Sequence, residues 1–299
     1  MVNEQELKKI LVENELININ EQLTIEPLGT GERNQNYLIN NQLVLRIGLM
    51  NLSEKYLTRE FKWLKKIKTN APKPLHLDTT SLEKPFSILS YTEGKQKETW
   101  TNEELALHAK QLANLNKTKS KFWGFEQKNR MFDIEKSFLS DVRHIGGKHD
   151  ADDKAIIKKT ASILHQHLEL FTEIKEFSLI HGDCCNSNIL HHNGNINYID
   201  WEWSTFRDNA EDPARLYYEN CYCPPWSAKL DSEQINFFLD EYQKHHPDPT
   251  LKKRVELWNR YWRATDYLHF KRVLQEERFA DLNKQHYQHT IQELKASLQ

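Results

Sequence analysis

The stretch HGDCCNSNIL at residues 181–190, followed by YIDWEW at 198–203, decides how the rest of the chain is read. It sets Asp183, then Asn188 five residues on, then Asp200, just after an apolar strand-like run. Buried in a core, three such groups are a liability, because each needs a compensating partner. Around a hard divalent cation they are an asset, because carboxylate and carboxamide oxygens are the ligands such an ion takes.

Composition narrows the classes. The 299 residues suffice for one large domain or two modest lobes around a proper core. With 41 basic against 43 acidic side chains, there is no broad field for nucleic acid or an anionic membrane surface, so binding is expected at a local site. No uninterrupted apolar segment approaches the roughly 18 residues of a membrane helix, and the opening MVNEQELKKILVENE is charged and amphipathic. A cytoplasmic protein is expected, with no nucleic-acid or membrane partner. Cys184, Cys185, Cys221 and Cys223 are then read as reduced thiols, small buried hydrophobes in effect. Even with His191 and His192 nearby, they lack the C-x2-C or H-x3-H spacing by which two ligands converge on zinc.

Patterning predicts an α+β chain. After an amphipathic helix around Leu7, Ile10 and Leu11, the runs LTIEPL, NYLI and QLVLRI read as a small antiparallel sheet with a turn at Asn40-Asn41. SEKYLTREFKWLKKIK puts Leu57, Phe61, Leu64 and Ile67 on one helical face, with Ser53 as a cap and Glu60 beside the face. PFSILSY gives one more strand, and TEGK at 92–95 is a crossover. Beyond it the pattern is mainly helical, including a long helix from Lys154 that runs up to the opening motif. Helices are also expected over DPARLYYEN, SEQINFFLDEYQKHH, residues 250–275 and the tail from 281. This ordering predicts a sheet lobe, 1–94, that binds nucleotide, and a helical lobe, 95–299, that carries catalysis and acceptor binding.

Phosphoryl transfer from a nucleotide needs a cover for the phosphates, a cation held by an acid, a group that orients the attacking hydroxyl, and ligands for Mg²⁺. Candidates for each occur in that order. PLGTGERNQNY offers Gly29, Thr30 and Gly31 between two strand-like runs, where the backbone could approach phosphate closely. It lacks the G-K-[ST] ending of a Walker loop. Arg46 lies on the following strand and Glu60, fourteen residues on, is its natural ion-pair partner. The H-x-D-x-x-x-x-N spacing lets a tight loop aim Asp183 at a hydroxyl while Asn188 offers its oxygen to Mg²⁺. Asp200 then ends the second strand of a hairpin turning at Asn193-Gly194.

HGDCCNSNIL with IDWEW, preceded by LGTGERNQNYLI, VLRI and REFKWL and followed by DPARL, resembles the aminoglycoside phosphotransferase and choline kinase superfamily of small-molecule kinases. The resemblance implies a bilobal protein-kinase-like fold. It further implies Asp183 as the catalytic residue braced by His181, Asn188 and Asp200 as Mg²⁺ ligands, and the segment from Ser90 to Thr92 as the adenine hinge. ATP or GTP would be the phosphoryl donor. Two departures stand out. Arg46 occupies the strand position where many kinases have lysine, and a fork does not contact phosphates as a point charge does. Asp200-Trp201-Glu202 replaces D-F-G, so protein phosphorylation is disfavoured.

The segments after Asp200 are rich in aromatic residues, and aromatic faces beside acids can receive a cation such as choline or an amino sugar. Glu202, Asp212, Tyr218, Trp226 and Trp262 are the candidates for acceptor binding. The plainer reading has the aromatics filling a core, with Asp212 capping the helix that starts at Pro213. A catalytically idle relative that only binds nucleotide or metabolite is the alternative function. It has no need to retain Asp183, Asn188 and Asp200 together.

Overall fold

The computed structural model describes residues 3–30, 33–50, 52–68, 70–277 and 284–299. The chain divides into two compact units: residues 1–94 with 197–202, and residues 95–196 with 203–299. Residues 197–202, which carry Asp200 and Glu202, fall with the first unit.

In the first unit, helix α1 (Glu4–Glu13) precedes strands β1 (Ile25–Thr30), β2 (Asn34–Ile39) and β3 (Leu43–Gly48). Helix α2 (Ser53–Leu64) and strands β4 (Pro74–Asp78) and β5 (Phe86–Ser90) follow, and the antiparallel sheet has the order β1-β2-β3-β5-β4. Asn40 and Asn41 both have positive φ, 48° and 54°, the left-handed pair that a tight hairpin turn requires. Leu7, Ile10 and Leu11 of α1 pack on Leu45, Ile47, Phe86 and Ile88 of the sheet, which makes the core of this unit. Ser53 begins α2 and its Oγ accepts the Met50 N–H at 2.9 Å, so it ties the preceding turn and does not cap the helix. Glu60 is buried, not beside the apolar face. It lies three residues after Leu57 and four before Leu64, and residues at those spacings share one side of a helix.

The second unit contains α3 (Asn102–Leu115), β6 (Lys119–Ser120), α4 (Ile134–Ile145), α5 (Ala151–Gln166), α6 (Glu169–Thr172) and β7 (Phe177–Ile180). Next along the chain come β8 (Ile189–His192) and β9 (Asn195–Tyr198), whose last two residues are counted with the first unit, then β10 (Thr205–Arg207), α7 (Glu211–Arg215), α8 (Ser232–His245), α9 (Leu251–Glu276) and α10 (Lys284–Leu298). The long helix expected to run up to residue 181 stops at Gln166. Phe177–Ile180, the apolar strand-like run before the motif, is a wholly buried strand whose backbone finds partners on both edges, β10 and β6. DPARLYYEN is helical only to Arg215. Among the described residues, no helix is long and apolar enough to cross a membrane.

Helix α9 is the spine of this unit. Trp258 and Tyr261 are 0% exposed, with Trp258 stacked on Phe132 at 5.7 Å and its Nε1 donating to Asp208 at 2.7 Å. These aromatics fill the core, as the plainer reading of the sequence has it. Glu211 is also wholly buried, with its Oε2 3.0 Å from Arg207 Nε. Burial outweighs that pull and lifts its carboxyl from 4.5 to about 8, with Asp212 and Asp141 adding to the rise. The unfolded chain therefore releases this proton at lower pH than the folded one, and folding stability falls as pH rises from 4.5 toward 8. Glu211→Gln is expected to flatten that decline in melting temperature across this window. An unchanged slope in thermal unfolding at several pH values would show that Arg207 keeps Glu211 ionised throughout.

Candidate active site

Strand β7 delivers the motif. Past Ile180 the chain must turn sharply, and Gly182 does so at φ +85°, where an added Cβ would lie 2.4 Å from the Trp203 carbonyl oxygen. The turn is braced from outside the motif. Asp212, 0% exposed, accepts the N–H of His181 at 2.7 Å and of Gly182 at 2.9 Å, while Ser204 Oγ donates to the His181 carbonyl at 3.1 Å. Burial raises the Asp212 carboxyl, and His181 and the two amide bonds oppose the rise. His181 is itself buried, with its Nδ1 accepting the Asp183 N–H at 3.3 Å. Further along, Asn186 is anchored by its N–H to the Trp226 carbonyl at 2.9 Å and by Trp100 Nε1 at 3.1 Å.

These braces present Asp183 with its side chain 27% exposed and both carboxylate oxygens engaged. Asn188 Nδ2 donates to Oδ2 at 2.9 Å and to the Asp183 carbonyl at 3.0 Å. Arg215 Nη2 donates to Oδ1 at 2.9 Å. Such a carboxylate is held in one plane yet keeps lone pairs that can accept a further proton or hydrogen bond. With its amide nitrogen turned to Asp183, Asn188 is left with its oxygen as the free end.

The first unit carries a second charged cluster. Arg46, 8% exposed, donates from Nη1 to Glu60 Oε1 at 2.8 Å and from Nη2 to Asp200 Oδ1 at 2.9 Å. Glu60 Oε1 also accepts the Trp201 N–H at 3.1 Å, and Arg33 Nη1 donates to Glu202 Oε1 at 2.8 Å. Arg46 and Arg33 thus bind three carboxylates, and Arg59 also lies within electrostatic reach of Glu202. Burial, together with repulsion from Asp200, lifts the carboxyls of Glu60 and Glu202 to about 7 against the pull of Arg46. Asp200, with its side chain 36% exposed, is the open member of the group and adopts φ +65°.

Gly29 and Thr30 end β1, paired with Asn36 and Gln35, whereas Gly31 lies outside the described residues. The Ser90 N–H donates to the Lys73 carbonyl at 2.9 Å and the Tyr91 N–H to the Gln42 carbonyl at 2.7 Å, so neither amide is left for a ligand. Thr92 follows in the loop after β5.

The acceptor candidates are largely taken up inside the molecule. Asp212 does not cap its helix, which has no side-chain cap, and its place in the first turn turns it onto the His181–Gly182 backbone. Glu202 belongs with Arg33 in the first unit and is 7% exposed. Tyr218 is buried and donates to Asp266 Oδ2 at 2.6 Å; the Trp262 ring lies under the Arg215 guanidinium at 4.4 Å. Trp226 packs on Phe270 at 4.4 Å and Tyr287 at 5.5 Å.

Cys184, Cys185 and Cys223 are buried, and burial pushes the Cys185 thiol up to about 12. Among the described residues, no three His, Cys, Asp or Glu side chains gather to hold a metal ion by themselves. Arg33, Arg215 and Asp266 escaped the sequence reading. Their signals were an arginine closing the glycine-rich run, another inside DPARL, and an acid within the aromatic-rich stretch of α9.

Gly182→Ala tests the turn. Strain at the positive φ and the approach to the Trp203 carbonyl are expected to cost about 1–3 kcal/mol or more, read as a lowered urea midpoint. A midpoint equal to that of the parent protein would mean that the turn is not braced in this way.

No curated relative matches the chain. Among solved structures, the aminoglycoside phosphotransferase APH(2'')-Ib bound to ADP has a TM-score of 0.63 at 18% identity, covering 99% of this chain and 98% of that one. A GDP and kanamycin complex of another APH(2'') enzyme scores 0.66 at 15% identity, with 98% of each chain covered. A choline/ethanolamine kinase family protein from Mesorhizobium loti scores 0.63 at 16% identity, over 99% of this chain and 94% of that one. These likenesses identify the α+β fold as the one aminoglycoside phosphotransferases share. The family model described as phosphotransferase enzyme family matches residues 24–276, most of the sequence, and the chain belongs to that family.

Proposed function

We propose that this protein transfers the γ-phosphoryl group of ATP or GTP to a hydroxyl of a small acceptor in the cytoplasm, with Mg²⁺ as cofactor. The observation that carries the reading is Asp183, a partly exposed carboxylate held by Asn188 and Arg215 at the end of a loop braced from behind. In this reading Asp183 orients the acceptor hydroxyl and takes its proton as the new P–O bond forms and the bond to the nucleoside diphosphate breaks. His181 braces the loop. Gly29, Thr30 and Gly31 cover the phosphates, Arg46 held by Glu60 meets them, and the hinge from Ser90 to Thr92 holds the base through carbonyls and the Thr92 amide.

The residues suit magnesium. Asn188 and Asp200 are its proposed ligands, both oxygen donors, and Asp200 is the most exposed carboxylate of the first-unit cluster. Bound there, the ion would neutralise charge on the triphosphate oxygens.

The ADP and GDP complexes among the structural neighbours support a nucleotide donor, and kanamycin in one and the choline/ethanolamine label of another support a small cationic alcohol as acceptor. Choline-like alcohols, amino sugars and aminoglycosides are therefore the first acceptors to try. With Asp212, Tyr218 and Trp262 engaged internally, their cation must be met by other groups.

ADP or GDP release over a panel of these acceptors, with ATP and GTP in parallel, is expected to find turnover. Asp183→Asn is expected to lower kcat roughly 10²- to 10⁴-fold with little change in nucleotide affinity. Full turnover in that variant would remove Asp183 from the chemistry. Asp200→Ala is expected to weaken Mg-nucleotide binding as well as rate, and unaltered MgATP titration curves would count against its role as a ligand.

A further inference from the structure

We infer that Arg215 is a positioning residue for Asp183, part of a relay of Asp266, Tyr218 and Trp262 that sets the orientation of the proposed catalytic carboxylate. The inference rests on the phosphotransfer reading above. Arg215 has its side chain only 10% exposed, and a guanidinium so placed loses its hydration and must be repaid by well-aligned partners. It has two, on different elements. Nη2 donates to Asp183 Oδ1 at 2.9 Å and Nη1 to Asp266 Oδ2 at 2.6 Å, while its face lies 4.4 Å from the centre of the Trp262 ring. A planar fork is suited to this, since its two ends are fixed relative to each other and locating one locates the other.

The far end is the better anchored. Asp266 has its side chain 13% exposed, lies within α9 and also accepts the Tyr218 hydroxyl at 2.6 Å on the same Oδ2. Arg215 Nε has no hydrogen-bond partner among the described residues, so the guanidinium depends on its two Nη contacts and its stacking. At the near end, Asn188 holds the other oxygen of Asp183 at 2.9 Å, and rotation of the carboxylate would break both bonds at once. Tyr218 and Trp262, two of the aromatic groups that the sequence offers to a cationic acceptor, are thus engaged around the chain's own cation and its partner Asp266. That cation points at the group proposed to take the substrate proton.

A merely structural ion pair would also bury Arg215, and kinetics separates the two. Turnover with the best acceptor of the panel is compared for the parent protein, Arg215→Ala, Arg215→Lys and Tyr218→Phe, with and without added guanidinium chloride below denaturing concentration. Arg215→Ala is expected to lose about 10- to 100-fold in kcat, the scale for a misplaced reacting group, while the KM for nucleotide holds. Guanidinium is expected to restore part of the loss. Arg215→Lys, which keeps the charge without the fork, is expected to fall between, and Tyr218→Phe to lose a few-fold in kcat.

Normal kcat in Arg215→Ala overturns the inference, as does a loss that guanidinium leaves untouched and that falls equally on nucleotide KM. Should Arg215→Ala fail to fold, normal kcat in both Arg215→Lys and Tyr218→Phe overturns it. A parent protein silent with every acceptor and both nucleotides instead defeats the phosphotransfer reading, and the role of Arg215 with it.

Discussion

Two backbone amides, those of His181 and Gly182, donate into one buried carboxylate, Asp212, and the geometry of the second unit's charged centre follows from that junction. A carboxylate removed from water must be satisfied by donors, and adjacent N–H groups of a sharply turned loop converge on it as a nest. The constraint is mutual. Asp212 stays buried because the loop supplies its donors, and the loop holds its turn because Asp212 is fixed in α7. Asp183 comes next in the chain, so the direction in which it leaves the turn is set before any of its own side-chain contacts form.

Those contacts then complete the arrangement. Asn188 reaches back to Asp183 from the short 3-10 turn at Asn186–Asn188, and Arg215, at the end of the helix that supplies Asp212, takes the other oxygen. One five-residue helix therefore serves the motif twice, through its first turn to the backbone and through its last residue to the side chain. Packing of α7 against α9 brings Asp266 within reach of Arg215, which ties the centre to the longest helix of the unit.

The first unit solves a different problem, that of neighbouring buried carboxylates. Glu60, Asp200 and Glu202 gather around Arg46 and Arg33, and the two most buried carboxyls are held above the usual carboxylate range because burial and repulsion from Asp200 outweigh the guanidiniums. Asp200 remains the exposed member while Arg46 orients it. Such an arrangement holds a carboxylate ready for an added cation without requiring the protein to enclose that cation alone.

Much of this was legible in the residues themselves. The spacing of Asp183, Asn188 and Asp200, the alternation of the first strands, the Asn-Asn turn and the pairing of Arg46 with Glu60 are local or nearly local patterns, governed by strand and helix periodicity and by turn chemistry. Where the reading failed, the deciding contact was distant in sequence. The helix before the motif ends at Gln166, short of the expected end, and Phe177–Ile180 is held by β6 and by β10, which forms some twenty-five residues later in the chain. Asp212 looked like a cap for its own helix until the fold brought the amides of residues 181 and 182 onto it. Tyr218 and Trp262 could have lined a pocket or a core, and only their placement with Arg215 and Asp266 decided the matter. The sequence by itself determined which groups were available and which lay close along the chain. Partner choice among buried charges was left to tertiary structure, because the energy of a buried ion depends on whatever dielectric and donors the whole fold assembles around it.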